Sequence, residues 1–141
     1  MSDTNLIELL TDMTLLHINN HQRFQRATLA MVARHKPKNP KEYSGVLQSE
    51  RNVWVWNVAS DLELWFSSLS YDVRDKVDDM KTKLRKETIK YPQTRDNIDD
   101  LVLNVIGEHL TRSVALLDYR AIANRLIDTH IENENYVANN A

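Results

Sequence analysis

Cysteine is absent from this chain, glycine occurs only twice and proline three times in 141 residues. Without cysteine there can be no disulfide, thiolate metal site or cysteine nucleophile. A sheet protein needs turn residues at regular intervals, and too few are present to punctuate one. The chain therefore has room for only a few long elements, which must be helices. No apolar run approaches the ~18–20 residues that span a bilayer. The N-terminal MSDTNLIELL carries acids and no basic stretch, so it does not read as a signal peptide. Hydrophobic residues make up 42% and charged residues 27%, ordinary values for a soluble globular domain. A net charge of −2 provides no general attraction for nucleic acid or acidic membranes. These features describe a cytoplasmic, all-α protein, a compact bundle of four to five helices in a single domain over residues 1–141.

Apolar residues recur at helical spacing in four segments. The first runs from Asp3 to Arg34, with Asn19-Asn20 interrupting the pattern and predicting a bend there. Residues 35–41, HKPKNPK, hold two prolines and no apolar residue and read as a basic linker. The second segment covers Glu42 to Leu69. Ser70 then reads as the N-cap of a third, Tyr71 to Tyr91, ended by Pro92. Thr94 or Asp96 opens the fourth, which Leu101, Val105, Leu110, Val114, Leu117, Ile122, Leu126 and Ile127 carry to Ile131; Gly107 marks a kink or a close approach. The polar residues 133–141 read as a frayed tail.

All three tryptophans lie in SERNVWVWNVASDLELWF, residues 49–66. VWVWNV alternates like a strand, but no partner strand is visible elsewhere. At about 100° per residue, Trp54 and Trp65 fall roughly 20° apart, and Leu47, Val58 and Leu69 lie near the same line. That line reads as buried. Trp56 falls instead among Ser49, Asn52, Ser60, Glu63 and Ser67, where a tryptophan is either covered by a neighbour or presented as a contact anchor. Asp61 lies almost in line with Trp54 and Trp65. A carboxylate there needs a partner, and Arg51 or a base from another helix can supply it.

In the third segment Val73, Val77, Met80 and Leu84 follow a 4-3-4 spacing, a narrow seam of the coiled-coil kind suited to a protein partner or a homodimer. Asp72, Asp75, Asp78 and Asp79 precede Lys81, Lys83, Arg85, Lys86 and Lys90, the polarity that the helix dipole favours. No nucleotide-binding glycine loop, nucleophile elbow or H-E-x-x-H is present, so no enzyme and no cofactor is expected. His17 and His21 share one helix face at i, i+4 and could supply two metal ligands. A third, such as Asp12, His109 or His130, would have to arrive through the fold, and no metal site is assigned.

Three stretches resemble the flagellar protein FlaF family: Arg51-Asn-Val-Trp54 with Asp61-Leu62, then Leu69-Ser-Tyr-Asp-Val-Arg74, then Leu116-Leu-Asp-Tyr-Arg-Ala-Ile-Ala123. Ser70 stands where that family has proline. The resemblance implies a small helical protein that assists or regulates flagellin synthesis or export by binding a protein partner, flagellin itself, and carries over Trp54, Asp61, Leu69 and Arg74. From the residues themselves, the contact candidates are Trp56, Val73, Val77, Met80 and Leu84. Two other readings stand beside this one. One is a phage or mobile-element protein that self-associates or inhibits a host factor. The other is a nucleic-acid binder using residues 34–41 and 81–90, whose affinity would fall steeply with salt.

Overall fold

The computed structural model describes residues 3–37, 48–90 and 99–140. The protein is all-α. Its five described helices are α1 (Asp3–Asn20), α2 (Gln22–Arg34), α3 (Gln48–Lys90), α4 (Asp99–Leu116) and α5 (Tyr119–Asn140). Among the described residues there is no strand. Residues 38–41 of the basic linker, Val46 and Leu47, and the positions Pro92, Thr94 and Asp96 lie outside the described residues.

The helix boundaries follow from local chemistry. Helix α1 ends beside the expected Asn19-Asn20, at His21, whose backbone is extended (φ −121°, ψ 107°). The His21 ring donates through Nδ1 to the carbonyl of His17 at 2.9 Å, satisfying one of the acceptors that a helix end leaves open. Between Gln48 and Lys90 the sequence contains neither glycine nor proline, and α3 runs through without interruption. The expected cap at Ser70 is therefore not one. Its hydroxyl donates back to the carbonyl of Ser67 at 2.8 Å, inside the helix. The expected single fourth helix is instead two. Asp118 caps α5 by accepting from the N–H of Ala121 at 3.0 Å, while its own N–H donates to Thr11 Oγ1 at 3.1 Å. Gly107 lies within α4 rather than at a break. The tail expected to fray is helical as far as Asn140.

The chain forms two compact units, one of Met1–Leu64 with Leu117–Ala141, the other of Trp65–Leu116. The first is built from α1, α2, the start of α3, and α5. Its core holds Ile18, Val32, Trp54, Val58, Leu62, Ile122, Leu126 and Ile127, with Thr28 among them. The second is built from the rest of α3 together with α4. In it only Val77 and Gly107 are buried among the described residues. The buried line expected along the tryptophan segment thus holds at Trp54 and Val58, with Leu62 buried beside them, and fails at Trp65 and Leu69. Trp65 is half-buried, edge-on to Phe66, and Leu69 is exposed. Helices α2 and α5, which supply the core around Trp54, belong to the first unit alone.

Candidate functional site

In the second unit α3 and α4 run antiparallel, since contacts that climb α3 descend α4. Val77 faces Gly107, Lys81 Nζ donates to Asn104 Oδ1, and Arg85 Nε lies 3.7 Å from Asp100 Oδ2. Asp100, Asn104 and Gly107 fall within about 60° of one another on a helix, with half-buried Thr111 on the same line and half-buried Leu103 and Val114 beside it, so this is the side applied to α3. The consequence is that much of the apolar surface of α4 is left uncovered. Leu101, Val102, Val105, Ile106 and Leu110 are all exposed; Val102, Val105 and Ile106 lie on the side away from that stripe, and Leu101 and Leu110 on its two flanks. A soluble helix ordinarily buries its apolar face and presents its polar one. The residues read above as the core stripe of the fourth segment face solvent over this stretch.

At Gly107 the two helices are in contact. A Cβ added there would lie 3.5 Å from Val77 Cγ1, ordinary van der Waals contact. Gly107→Ala is therefore expected to stabilise the protein by about 0.5–1 kcal/mol, the usual helix penalty of glycine. An upward shift of the denaturation midpoint checks this, and a loss would mean that the helices approach more closely than the contact implies.

Along α3 the seam divides. Val77 is buried against Gly107 and so is not part of any open surface, a correction to the contact set expected above. Val73 and Met80 are exposed, Leu84 is half-buried, and Leu69, Tyr71 and Arg74 are exposed beside them.

In the first unit the tryptophans separate as their helical phase predicts. Trp54 is 1% exposed and donates through Nε1 to the carbonyl of Val32 at 2.9 Å, closing the end of α2. Trp56 is 58% exposed. It lines an open cleft of about 590 Å³ with Gln48, Asn52, Val53, Val55, Arg120 and Asn124. Asp61 has the basic partner that its position demands, but not Arg51. His35 Nε2 donates to Asp61 Oδ2 at 2.6 Å, and Arg34 lies 3.7 Å from the same oxygen. Arg51 instead reaches Asp128 at 2.8 Å and Asn124 at 3.3 Å, tying α3 to α5.

His130 packs edge-on to Trp54, with Nε2 3.1 Å from Glu134 Oε1. Burial lowers its pKa below the ordinary histidine value, opposed by Glu134 and assisted by Lys36. Burial, with Glu63 adding to it, pushes the Tyr119 hydroxyl up to about 12. The His35–Asp61 pair has the form of a base with its orienting acid. Among the described residues no hydroxyl hydrogen-bonds to His35, and the pair joins the end of α2 to α3. His17 and His21 stack at 6.1 Å, and His21 Nδ1 is engaged with the backbone. Among the described residues no group of three potential metal ligands comes together. No described helix is long and apolar enough to cross a membrane.

No family model, curated protein or solved structure matches this chain. The basic residues considered for nucleic acid are, where described, largely directed at acids or amides: Arg34 to Asp61, Lys36 to Glu134, Lys81 to Asp78 and Asn104, Arg85 to Asp100. The outward face of α4 is the feature that the sequence reading missed. Its signal is present in the sequence, because LVLNVI places apolar residues on both sides of Asn104, more than one neighbouring helix can cover.

Proposed function

We propose that this protein is a non-enzymatic helical protein that binds a protein partner on the outer face of α4. The observation that carries the reading is the apolar surface that this helix leaves uncovered. Five large apolar side chains, Leu101, Val102, Val105, Ile106 and Leu110, stay in solvent while a polar stripe meets α3. Leaving apolar surface in water costs about 25 cal/mol per Å², so such a face favours an apolar partner. An amphipathic helix laid along it is the occupant whose shape and period match a helical surface. Under the resemblance to the FlaF family that partner is flagellin, and the role is to assist or regulate flagellin synthesis or export. Trp56, exposed in the first unit, is a second candidate anchor.

The test is a pull-down of flagellin by the parent protein, by Val102→Glu/Ile106→Glu, and by Trp56→Ala. The α4 variant is expected to lose capture while keeping its far-UV circular dichroism. No capture by the parent would remove the flagellar role. Capture undiminished by the double substitution would remove the α4 face as its site, and capture undiminished by Trp56→Ala would remove only that anchor.

A further inference from the structure

We propose that a second copy of this chain packs antiparallel on the seam of α3 formed by Leu69, Val73, Met80 and Leu84. This surface is separate from the outer face of α4, and the proposal does not depend on the partner assigned to that face. At about 100° per residue the four seam residues fall within a sector of about 60°. Leu69, Val73 and Met80 are exposed and Leu84 is half-buried, while Val77, off to one side, is the residue that meets α4.

Beside the seam, on the flank away from Val77, runs a second sector of similar width holding Asp72, Lys76, Asp79 and Lys83. All four are exposed, and their charges alternate in sign at 4-3-4 spacing. Among the described residues no ion pair engages any of them; the nearby pairs are Lys81 with Asp78 and Arg85 with Asp100.

This order of charges is self-complementary. In an isologous contact, residue i meets residue j of the copy, and j meets i in return. A two-fold axis beside residues 76–78 lays Val73 on the second copy's Met80, and Leu69 on the second copy's Leu84. The same axis sets Asp72 against the second copy's Lys83, and Lys76 against the second copy's Asp79. Antiparallel packing brings a flank against the same flank of the copy, so the stripe meets itself and each of these two pairings joins opposite signs. One operation thus covers the apolar row and pairs the charged row. The two α3–α4 pairs then form a four-helix arrangement, in which each two-helix unit gains the neighbours that it lacks.

The experiment is analytical ultracentrifugation of the full chain over a concentration series at low and high salt. A reversible dimer is expected that weakens as salt rises. Val73→Glu and the single reversals Asp72→Lys and Lys83→Glu are each expected to weaken it at least tenfold. The double reversal Asp72→Lys/Lys83→Glu is expected to restore it, because the pair is kept with its signs exchanged. All these positions are exposed, and unchanged far-UV circular dichroism confirms that folding is retained. A parent chain monomeric at every concentration overturns the proposal, as does a dimer indifferent to Val73→Glu. A double reversal no better than the singles overturns the antiparallel register. Val102→Glu/Ile106→Glu is expected to leave the dimer intact, which separates this outcome from that of the flagellin pull-down.

Discussion

Trp54→Ala is expected to destabilise the protein by about 3–5 kcal/mol, the range for deleting a large buried aromatic. The indole is fully enclosed in the first unit, edge-on to His130, and its N–H donates to the carbonyl of Val32 in the last turn of α2. Alanine would open a cavity and withdraw that donor. The Val32 carbonyl keeps its bond from the N–H of His35 at 3.2 Å, so most of the loss is expected from packing rather than from an abandoned acceptor. Trp54→Phe, which retains a ring and gives up the hydrogen bond, should therefore lose distinctly less. Trp56→Ala, on an exposed side chain two residues away, should change stability by no more than about 0.5 kcal/mol. Denaturant unfolding of the three variants reads the contrast directly. Similar losses at 54 and 56 would contradict the burial assigned to the two indoles.

The second large effect is expected at Ser70. Proline there would remove the N–H that bonds to the carbonyl of Phe66 and would press its ring on that carbonyl, costing about 3 kcal/mol or more inside a helix. Were Ser70 outside the helix, as a cap between two helices is, proline there would remove no helical bond and would cost far less. Ser70→Ala is the control. It loses only the bond to the Ser67 carbonyl and gains helix propensity, so it should be neutral or slightly stabilising. Thermal unfolding followed by far-UV circular dichroism distinguishes the two. An unaffected Ser70→Pro would show that α3 is interrupted.

The contrast at Ser70 shows what a single sequence can and cannot supply. Serine is a weak signal, and a cap forms only where the chain leaves the helix to let the hydroxyl meet free N–H groups. Without glycine or proline between Gln48 and Lys90, the less costly course is to continue. At Leu117-Asp118 the opposite occurs, with no glycine or proline present. There Asp118 caps α5 and Thr11, distant in sequence, accepts its N–H. The second of those bonds has no local signature, which is why the fourth segment read as one helix.

The sequence by itself determined the all-α class, through the scarcity of glycine and proline and the apolar period. It also determined the opposite placement of Trp54 and Trp56, because a two-residue step turns a helix by about 200°. It determined that Asp61 would take a basic partner, because a carboxylate set near the core line needs one. Only the tertiary structure decided that the partner is His35 with Arg34, while Arg51 goes to Asp128. Only the tertiary structure decided which side of α4 is covered. The period groups residues into faces, but which face meets a neighbour depends on what the neighbour presents. On α3 the matching row is Val77, Lys81 and Arg85, and it meets Gly107, Asn104 and Asp100. A small residue admits the valine and polar groups meet the two cations, so Leu101, Val102, Val105, Ile106 and Leu110 are left exposed.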